Sequence, residues 1–216
     1  MTSIWQKDSK LPSFPQQKGK QKTGVLIIGG GITGILTAYF LKQNHVDCML
    51  VEKGKLCNGT TAGTTAKITV QHGLLYHRLL KNDGIEFAQK YLQANQHAFA
   101  SYEALCQTID CDFVYQDNYV YAMDSRKKLE QELAALQKIG CSAAFCADLP
   151  LPFPTAGAVM FPHQAQFHPL KFLAAIAEGL PIYENTFVKQ LQGNTAITDT
   201  AEITADQVIV ATHFPF

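Results

Sequence analysis

Hydrophobic and polar residues follow two different periods near the start of the chain. The continuous apolar run Gly24–Ile28 is typical of a buried β-strand, whereas apolar positions between Ile32 and Gln43 recur at helical spacing. A further apolar run, Asp47–Glu52, predicts another strand. The pattern therefore predicts a strand, a helix that faces a sheet, and a second strand that ends on an acidic residue.

The pattern before and after this unit predicts an arm and a longer series of elements. Residues 1–23 sustain no hydrophobic period, and we expect an extended arm that Trp5 pins to the body. After residue 80, helices and strands alternate irregularly. The predicted helices are Gly84–Cys106, Ser125–Gly140 and Pro169–Gly179, and the predicted strands are Cys111–Tyr115, Tyr119–Met123, Gly157–Phe161, Pro181–Tyr183, Thr186–Leu191, Thr195–Thr198 and Glu202–Thr204. The first two of these strands are joined through Asp117-Asn118, which predicts a hairpin.

The last apolar run, Gln207–Thr212, is typical of a buried parallel strand that rejoins the first sheet. We therefore expect an α/β chain with a discontinuous nucleotide-binding domain, formed by residues 24–80 and 169–216. Residues 81–168 would form an inserted α+β domain.

Composition narrows the class of protein. The 216 residues are 47% hydrophobic and 17% charged, with 18 basic and 18 acidic residues, so no excess charge favours nucleic acid or an anionic membrane. The sequence lacks an apolar span for a membrane and an apolar leader, so we expect a cytoplasmic protein. We interpret the six cysteines as reduced thiols. Cys57 follows the second strand closely and is the one thiol near the expected chemistry, although a bystander role is favoured.

Three glycines and one acid carry the first candidate site. Gly29 would allow a sharp turn after the strand, Gly31 would let the backbone approach a pyrophosphate, and Gly34 would let the helix pack closely on the strand. The helix N-terminus offers free N–H groups to phosphates. Glu52 lies where a carboxylate can accept hydrogen bonds from ribose hydroxyls. Together they predict a dinucleotide site, although a glycine-rich structural turn is the alternative.

A run rich in small and hydroxyl residues, Lys53–Lys67, follows the second strand. Such a composition usually indicates a loop. Directly after a nucleotide-binding unit, however, small side chains permit close approach of the backbone, and threonine hydroxyls can donate to phosphate oxygens. We expect the run as a whole to bind the cofactor.

With these motifs assembled, the chain resembles the FAD-dependent oxidoreductases of the D-amino-acid oxidase type, which include sarcosine, glycine and γ-glutamylputrescine oxidases. The resemblance covers residue 24 to the C-terminus and rests on the glycine motif with Glu52, the threonine run, and Gln207–Thr212. It implies a Rossmann-like FAD/NAD(P)-binding domain and an incomplete α+β substrate (cap) domain. The cofactor contacts that it implies are Gly29, Gly31, Ile32, Thr33, Gly34, Glu52, Lys53, Gly59, Thr60, Thr61, Thr65, Ala66, Lys67, Val188, Ala211 and Thr212.

The sequences of Gln164–Pro169 and Ala211–Phe216 resemble those of a bacterial subgroup that often carries a C-terminal Rieske domain. This chain has none of the Cys and His ligands of a Rieske cluster. Relatives that attach FAD covalently do so through a histidine in the second motif, where this chain has Gly63 or its neighbours. Covalent attachment is therefore not expected. The chain ends just after the third motif, where relatives continue, and we interpret it as a truncated N-terminal portion.

The resemblance implies oxidation of a C–N bond in an amine or amino acid by hydride transfer to flavin. Lys67 is the candidate catalytic residue, because a cation there would stabilise reduced, anionic flavin. The alternative is a lysine that points into water. His72, Tyr76 and His77 are candidates to line the site, although a structural role is favoured for each.

Two other functions remain open from the sequence. One is a truncated nucleotide-binding fragment without turnover, and the other is an NAD(P)-dependent dehydrogenase, against which the threonine run and the late strand argue. His163 and His168 lack the spacing of metal ligands, so no metal is expected. Unfinished sheet edges would favour self-association.

Overall fold

The computed structural model describes residues 3–213, so the last three residues of the ending motif, Phe214–Phe216, lie outside the described part. In chain order the elements are α1 (Ile4–Lys7), β1 (Gly19–Ile28), α2 (Ile32–Gln43), β2 (Cys48–Val51), β3 (Lys67–Ile68), α3 (Tyr76–Asp83), α4 (Ile85–Cys106), β4 (Val114–Tyr121), α5 (Arg126–Lys138), β5 (Ala144–Cys146), β6 (Ala158–Gln166), α6 (Pro169–Ala177), β7 (Ile182–Tyr183), β8 (Gln190–Gln192), β9 (Thr195–Ile197) and β10 (Ala201–Val210). Within residues 3–213, no helix combines the length and the apolar character that a membrane span requires.

The chain divides into two compact units. The described residues up to Thr65 and from His168 onward form the first unit, and Ala66–Phe167 form the second. The sequence placed this change near residue 80. In the structure the chain leaves the first unit earlier, because Lys67 and Ile68 already pair with β6 of the second unit.

The first unit contains a six-stranded sheet in the order β7-β2-β1-β10-β9-β8. The first four strands of this order are parallel, and β9 and β8 add antiparallel pairs. Side chains of β1 alternate between the two faces of the sheet. Leu26 and Ile28 join one buried cluster with Val51 and Ile203. The helix α2 contacts β2, β1 and α6, so the α/β arrangement that the pattern predicted is confirmed.

The second unit packs three helices on a smaller antiparallel sheet. In that sheet β6 pairs with β3, β4 and β5. Its core includes the fully buried Tyr76, Leu129 and Phe161. The buried Glu132 of α5 accepts hydrogen bonds from the backbone N–H groups of Tyr76 and His77, both at 2.8 Å. Glu132 therefore caps the N-terminus of α3, whose own N-cap residue provides no side-chain hydrogen bond.

The predicted hairpin at Asp117-Asn118 is wrong. Residues 114–121 form the single strand β4, which pairs with β6 and changes register between Gln116 and Asn118. Asp117 accepts a hydrogen bond from the backbone N–H of His163 at 3.1 Å, so it lies at a bulge beside β6. The partner strand β6 accordingly extends to Gln166, beyond the predicted end at Phe161.

The end of the sheet differs from the prediction in a second way. The two predicted strands Glu202–Thr204 and Gln207–Thr212 are one strand, β10, which is parallel to β1 from Ala201 to Val210. Its second half is not buried, and Val210 is 44% exposed. The reason is that β9 pairs only with Glu202–Thr204, so in the described chain the rest of β10 has a strand neighbour on one side alone.

The N-terminal arm is more ordered than an extended segment. Ile4–Lys7 form one helical turn, and Gly19–Thr23 extend β1 by pairing with Ala201–Ala205. The sequence missed this extension because Lys20 and Lys22 interrupt the apolar pattern on exposed positions of the strand.

Candidate functional site

A groove of about 820 Å³ lies in the first unit at the carboxyl ends of the parallel strands. This is the edge at which open α/β sheets bind ligands, and the volume is within the range of small-molecule sites, roughly 300–1,000 Å³. Four chain segments form three walls. The first wall is the glycine turn Ile28–Thr33. The second, the threonine wall, is Val51–Thr64, in which all residues but Leu56, Ala62 and Gly63 line the groove. The third consists of Thr186–Val188 and Ala211–His213.

The glycine turn requires its glycines for steric reasons. Gly29 has φ +116°, a left-handed conformation that side chains disfavour. A Cβ atom on Gly34 would lie 1.9 Å from the carbonyl oxygen of Gly29, so only glycine lets α2 approach the turn this closely. The first intrahelical bond runs from the N–H of Ile35 to the oxygen of Gly31. The N–H groups of Thr33 and Gly34 come before this first bond and are not used within the helix. They lie at the N-terminal end of α2, which favours anions.

Glu52 is held at the groove by two backbone donors. Its Oε2 accepts a hydrogen bond from the N–H of Gly30 at 2.7 Å, and its Oε1 accepts one from the N–H of Gly54 at 2.9 Å. A carboxylate offers about four acceptor sites, so each oxygen retains capacity for a further donor. The side chain is thus oriented before any ligand binds and can still accept two hydroxyl groups.

The threonine wall is bonded to the glycine turn. Thr61 is buried, and its Oγ1 accepts the N–H of Ile32, the first residue of α2, at 3.1 Å. The N–H of Cys57 donates to the carbonyl oxygen of Gly30 at 2.9 Å. The spacing between this wall and the helix N-terminus therefore depends on the conformation of residues 57–64.

The third wall joins the other two through the backbone. The N–H of Thr186 donates to the carbonyl oxygen of Glu52 at 2.9 Å, and the N–H of Ala211 donates to that of Ile28 at 2.8 Å. The hydroxyl of Thr212 is buried and has no hydrogen-bond partner among residues 3–213. Since an unpaired buried hydroxyl is costly, a polar ligand atom at this wall would satisfy it.

Cys57 lines the groove but is a poor nucleophile. Burial, with a smaller effect from the Glu52 carboxylate, raises the pKa of this thiol to about 12. The thiol is therefore protonated at neutral pH, and only a thiolate would react.

Several residues that the sequence singled out lie elsewhere. Thr65 is not among the residues that line the groove, and Ala66 and Lys67 belong to the second unit, where Lys67 is exposed at the start of β3. The side chain of Tyr76 is in the core of that unit and donates to the oxygen of Val70 at 2.5 Å. Burial raises the pKa of the Tyr76 hydroxyl. His77 lies beside it on α3, and His72 precedes that helix.

His163 and His168 lie near the point where the chain returns to the first unit, and both have structural contacts. The ring of His163 packs at a tilt against Tyr115 in the second unit, with ring centroids 4.9 Å apart. His168 precedes α6, and its Nδ1 accepts the N–H of Lys171 at 3.2 Å. Across residues 3–213, no group of three His, Cys, Asp or Glu side chains is placed to hold a metal ion.

Lys55 and Asn58 line the groove and belong to the run Lys53–Lys67 that the sequence indicated as a whole. His213 also lines the groove and was missed by sequence reasoning. Nothing in the pattern indicated His213.

Comparison with known proteins gives two kinds of match. The model of the family described as "DAO: FAD dependent oxidoreductase" matches residues 24–214. A protein of Bacillus subtilis (strain 168), described as "Putative Rieske 2Fe-2S iron-sulfur protein YhfW", is 36% identical over 227 residues. That alignment covers 99% of this chain and 45% of the relative.

Solved structures share the fold at low identity. Glycine oxidase from Geobacillus kaustophilus has a TM-score of 0.66 and 19% identity, with 89% of this chain and 55% of that chain covered. L-proline dehydrogenase from P. horikoshii has a TM-score of 0.71 and 18% identity, with 89% and 53% covered. The chain thus spans about half the length of each of these three proteins.

Proposed function

Because the chain belongs to the DAO family of FAD-dependent oxidoreductases, we propose that it binds FAD in this groove and serves the oxidation of a C–N bond. FAD is the cofactor of this family, so the resemblance drawn from the sequence is confirmed on that point and a nicotinamide dinucleotide is not favoured. The substrate that we propose is an amine or an amino acid.

The residues of the groove fit the adenosine and pyrophosphate parts of FAD. Glu52 would accept the ribose hydroxyls, since both of its oxygens keep acceptor capacity after bonding Gly30 and Gly54. The N–H groups at the start of α2 would hold the pyrophosphate, and the hydroxyl of Thr60 lies at the same groove. Val188 would contact the adenine through its backbone, and Thr212 offers its unpaired hydroxyl.

The chemistry is divided between the cofactor and the chain. When bound, FAD supplies the acceptor for a hydride from the carbon next to the amine nitrogen. The chain orients the cofactor through the fixed carboxylate of Glu52 and the glycine turn. We propose that Lys67, the first residue of β3, would supply a cation that stabilises negative charge on bound flavin.

The choice of substrate class is supported by the named activities of structural neighbours. These include a glycine oxidase, an L-proline dehydrogenase and an L-amino acid deaminase from Proteus vulgaris. Each name refers to an amino acid. The alternative proposal is a chain that binds nucleotide without turnover, which its coverage of about half of each relative keeps open.

The observation that carries the proposal is the orientation of Glu52 by Gly30 and Gly54, and it leads to the first prediction. Glu52→Ala should weaken FAD binding about 10- to 100-fold, because charge-assisted hydrogen bonds contribute about 1.5–3 kcal/mol. The dissociation constant is measured by titrating apo-protein into FAD and following flavin fluorescence. Glu178→Ala, at an exposed position after α6 in the same unit, is the matched control.

The result that would contradict FAD binding in this groove is equal affinity of Glu52→Ala and the unsubstituted chain. Turnover is tested separately, by adding glycine, L-proline or an amine to the flavin-loaded protein without oxygen. Loss of the flavin absorbance supports C–N oxidation. Bound flavin that no such compound reduces favours the binding protein without turnover.

A further inference from the structure

The N-terminal arm, defined here as residues 3–18, contacts the rest of the first unit at two separate places. Near its start, the indole Nε1 of Trp5 donates to the backbone carbonyl oxygen of Thr64 at 2.8 Å. The same ring lies edge-on to His168, with ring centroids 5.2 Å apart. Ser9 closes the short helix by donating its hydroxyl to the carbonyl oxygen of Trp5 at 2.7 Å. Trp5 is thereby attached to the end of the threonine wall.

The end of the arm is attached to the wall that contains Thr186. The N–H of Gln17 donates to Thr186 Oγ1 at 3.0 Å, and the N–H of Glu184 donates to the carbonyl oxygen of Pro15 at 3.0 Å. The amide of Gln16 donates to the carbonyl oxygen of Asn185 at 2.6 Å. Residues 15–17 therefore run along the segment that leads into Phe187 and Val188.

Glu184 connects this second attachment to the segment that follows Glu52. Its side chain is 2% exposed, and its Oε2 lies 2.6 Å from the ammonium of Lys55, a groove residue. Its Oε1 accepts the N–H of Leu56 at 2.9 Å, and its Oε2 also accepts the N–H of Phe14, in the arm, at 3.2 Å. Since a buried carboxylate requires such donors, loss of the arm would leave Glu184 with one fewer.

Among the described residues of the arm, none lines the groove. The arm instead contacts the backbone of two walls that do, at Thr64 and at Thr186. Ordering these walls before the cofactor arrives would lower the entropy cost of binding it. The inference rests on the proposed binding of FAD in the groove, and it concerns affinity rather than the chemical step.

We propose that the N-terminal arm is a positioning element for FAD, in which Trp5 holds the threonine wall and residues 14–17 hold the wall around Thr186. These residues belong neither to the glycine motif nor to Glu52, the residue proposed to bind the ribose. Trp5 acts through Thr64 and is a positioning residue, not a catalytic one.

The test is the substitution Trp5→Phe, which keeps an aromatic ring and removes the N–H donor to Thr64. We expect the dissociation constant of FAD, measured by flavin fluorescence with the full chain, to rise about 3- to 10-fold, as for one hydrogen bond. Hydrogen exchange of the apo-protein should be faster within residues 57–64. Ile4→Ala is the matched control, because Ile4 is in the same helical turn and is 64% exposed.

A double substitution separates positioning from general destabilisation. Thr61→Ala removes the acceptor of the Ile32 N–H, so it alters the same wall from the other side. If Trp5 acts through this wall, the two substitutions should affect FAD binding non-additively. Additive effects, or a lower melting temperature of the apo-protein with unchanged exchange in residues 57–64, would overturn the proposal.

The same titrations distinguish failure of this inference from failure of the proposed function. If the unsubstituted chain binds FAD and Glu52→Ala weakens binding, while Trp5→Phe binds as the unsubstituted chain does, the role of the arm is wrong and the groove stands. If Glu52→Ala has no effect, the groove itself is wrong and the inference fails with it.

Discussion

Gly34 shows how much a single position contributes to the glycine turn. Its missing side chain places α2 against the carbonyl oxygen of Gly29, where a Cβ atom would be only 1.9 Å away. Gly34→Ala should therefore destabilise the fold by at least about 1–3 kcal/mol, the usual cost of overpacking. Denaturant unfolding of the apo-protein measures this change. Gly63→Ala is the control, since a Cβ there would meet no atom within 4 Å, and an equal loss in both variants would contradict the prediction.

Cys57 gives a prediction for alkaline pH. The thiol has a pKa of about 12 when folded, against 9.0 for an ordinary cysteine, so the folded chain favours the protonated form. The stabilisation is complete below pH 9 and is lost as the pH rises from 9 towards 12. The slope from this one group is at most about 1.4 kcal/mol per pH unit. Cys57→Ala should reduce the fall in unfolding free energy between pH 9 and 11, and an unchanged slope would exclude this source.

At the residue scale, the sequence predicted the parts of the site that depend on local geometry. Gly29, Gly34 and Glu52 belong to one strand, turn, helix and strand, so their spacing alone relates them. The unpaired hydroxyl of Thr212 and the contact of Glu184 with Lys55 depend on residues more than a hundred positions apart. No local pattern could have revealed them.

At the scale of elements, the cap of α3 leads to a further prediction. Glu132 of α5 accepts the N–H groups of Tyr76 and His77 and is fully buried. Glu132→Ala leaves the buried N–H of Tyr76 and the part-buried N–H of His77 without acceptors, and it should cost about 2–4 kcal/mol of unfolding free energy. Denaturant unfolding provides the measurement. Glu130→Ala is the control on the same helix, where an exposed pair with Arg126 contributes less than about 0.5 kcal/mol, and similar losses would contradict the prediction.

The elements that were predicted incorrectly share a physical cause. A bulge and a turn both interrupt strand pairing with the same polar residues, so Asp117-Asn118 indicated a hairpin where β4 continues. An apolar strand pattern also does not show how many neighbours a strand has. Val210 is for this reason exposed at the end of β10, although its sequence is that of a buried strand.

At the scale of the whole molecule, the first unit is assembled from both ends of the chain. Gly19 of β1 pairs with Ala201 of β10, and residues 66–167 between them form the second unit. The sequence predicted a discontinuous domain because an apolar strand follows a long insertion. Contacts this distant in sequence slow folding, since the loop must close before the pairing is gained.

The late position of Ala211 and Thr212 has a consequence during protein synthesis. These residues complete the groove, so a nascent chain that already carries the glycine turn and Glu52 still lacks one wall. At about 5–20 residues per second, translation takes on the order of 10–30 s to pass from Glu52 to Thr212. Until Thr212 is added, the groove of the ribosome-bound chain lacks this wall and is incomplete.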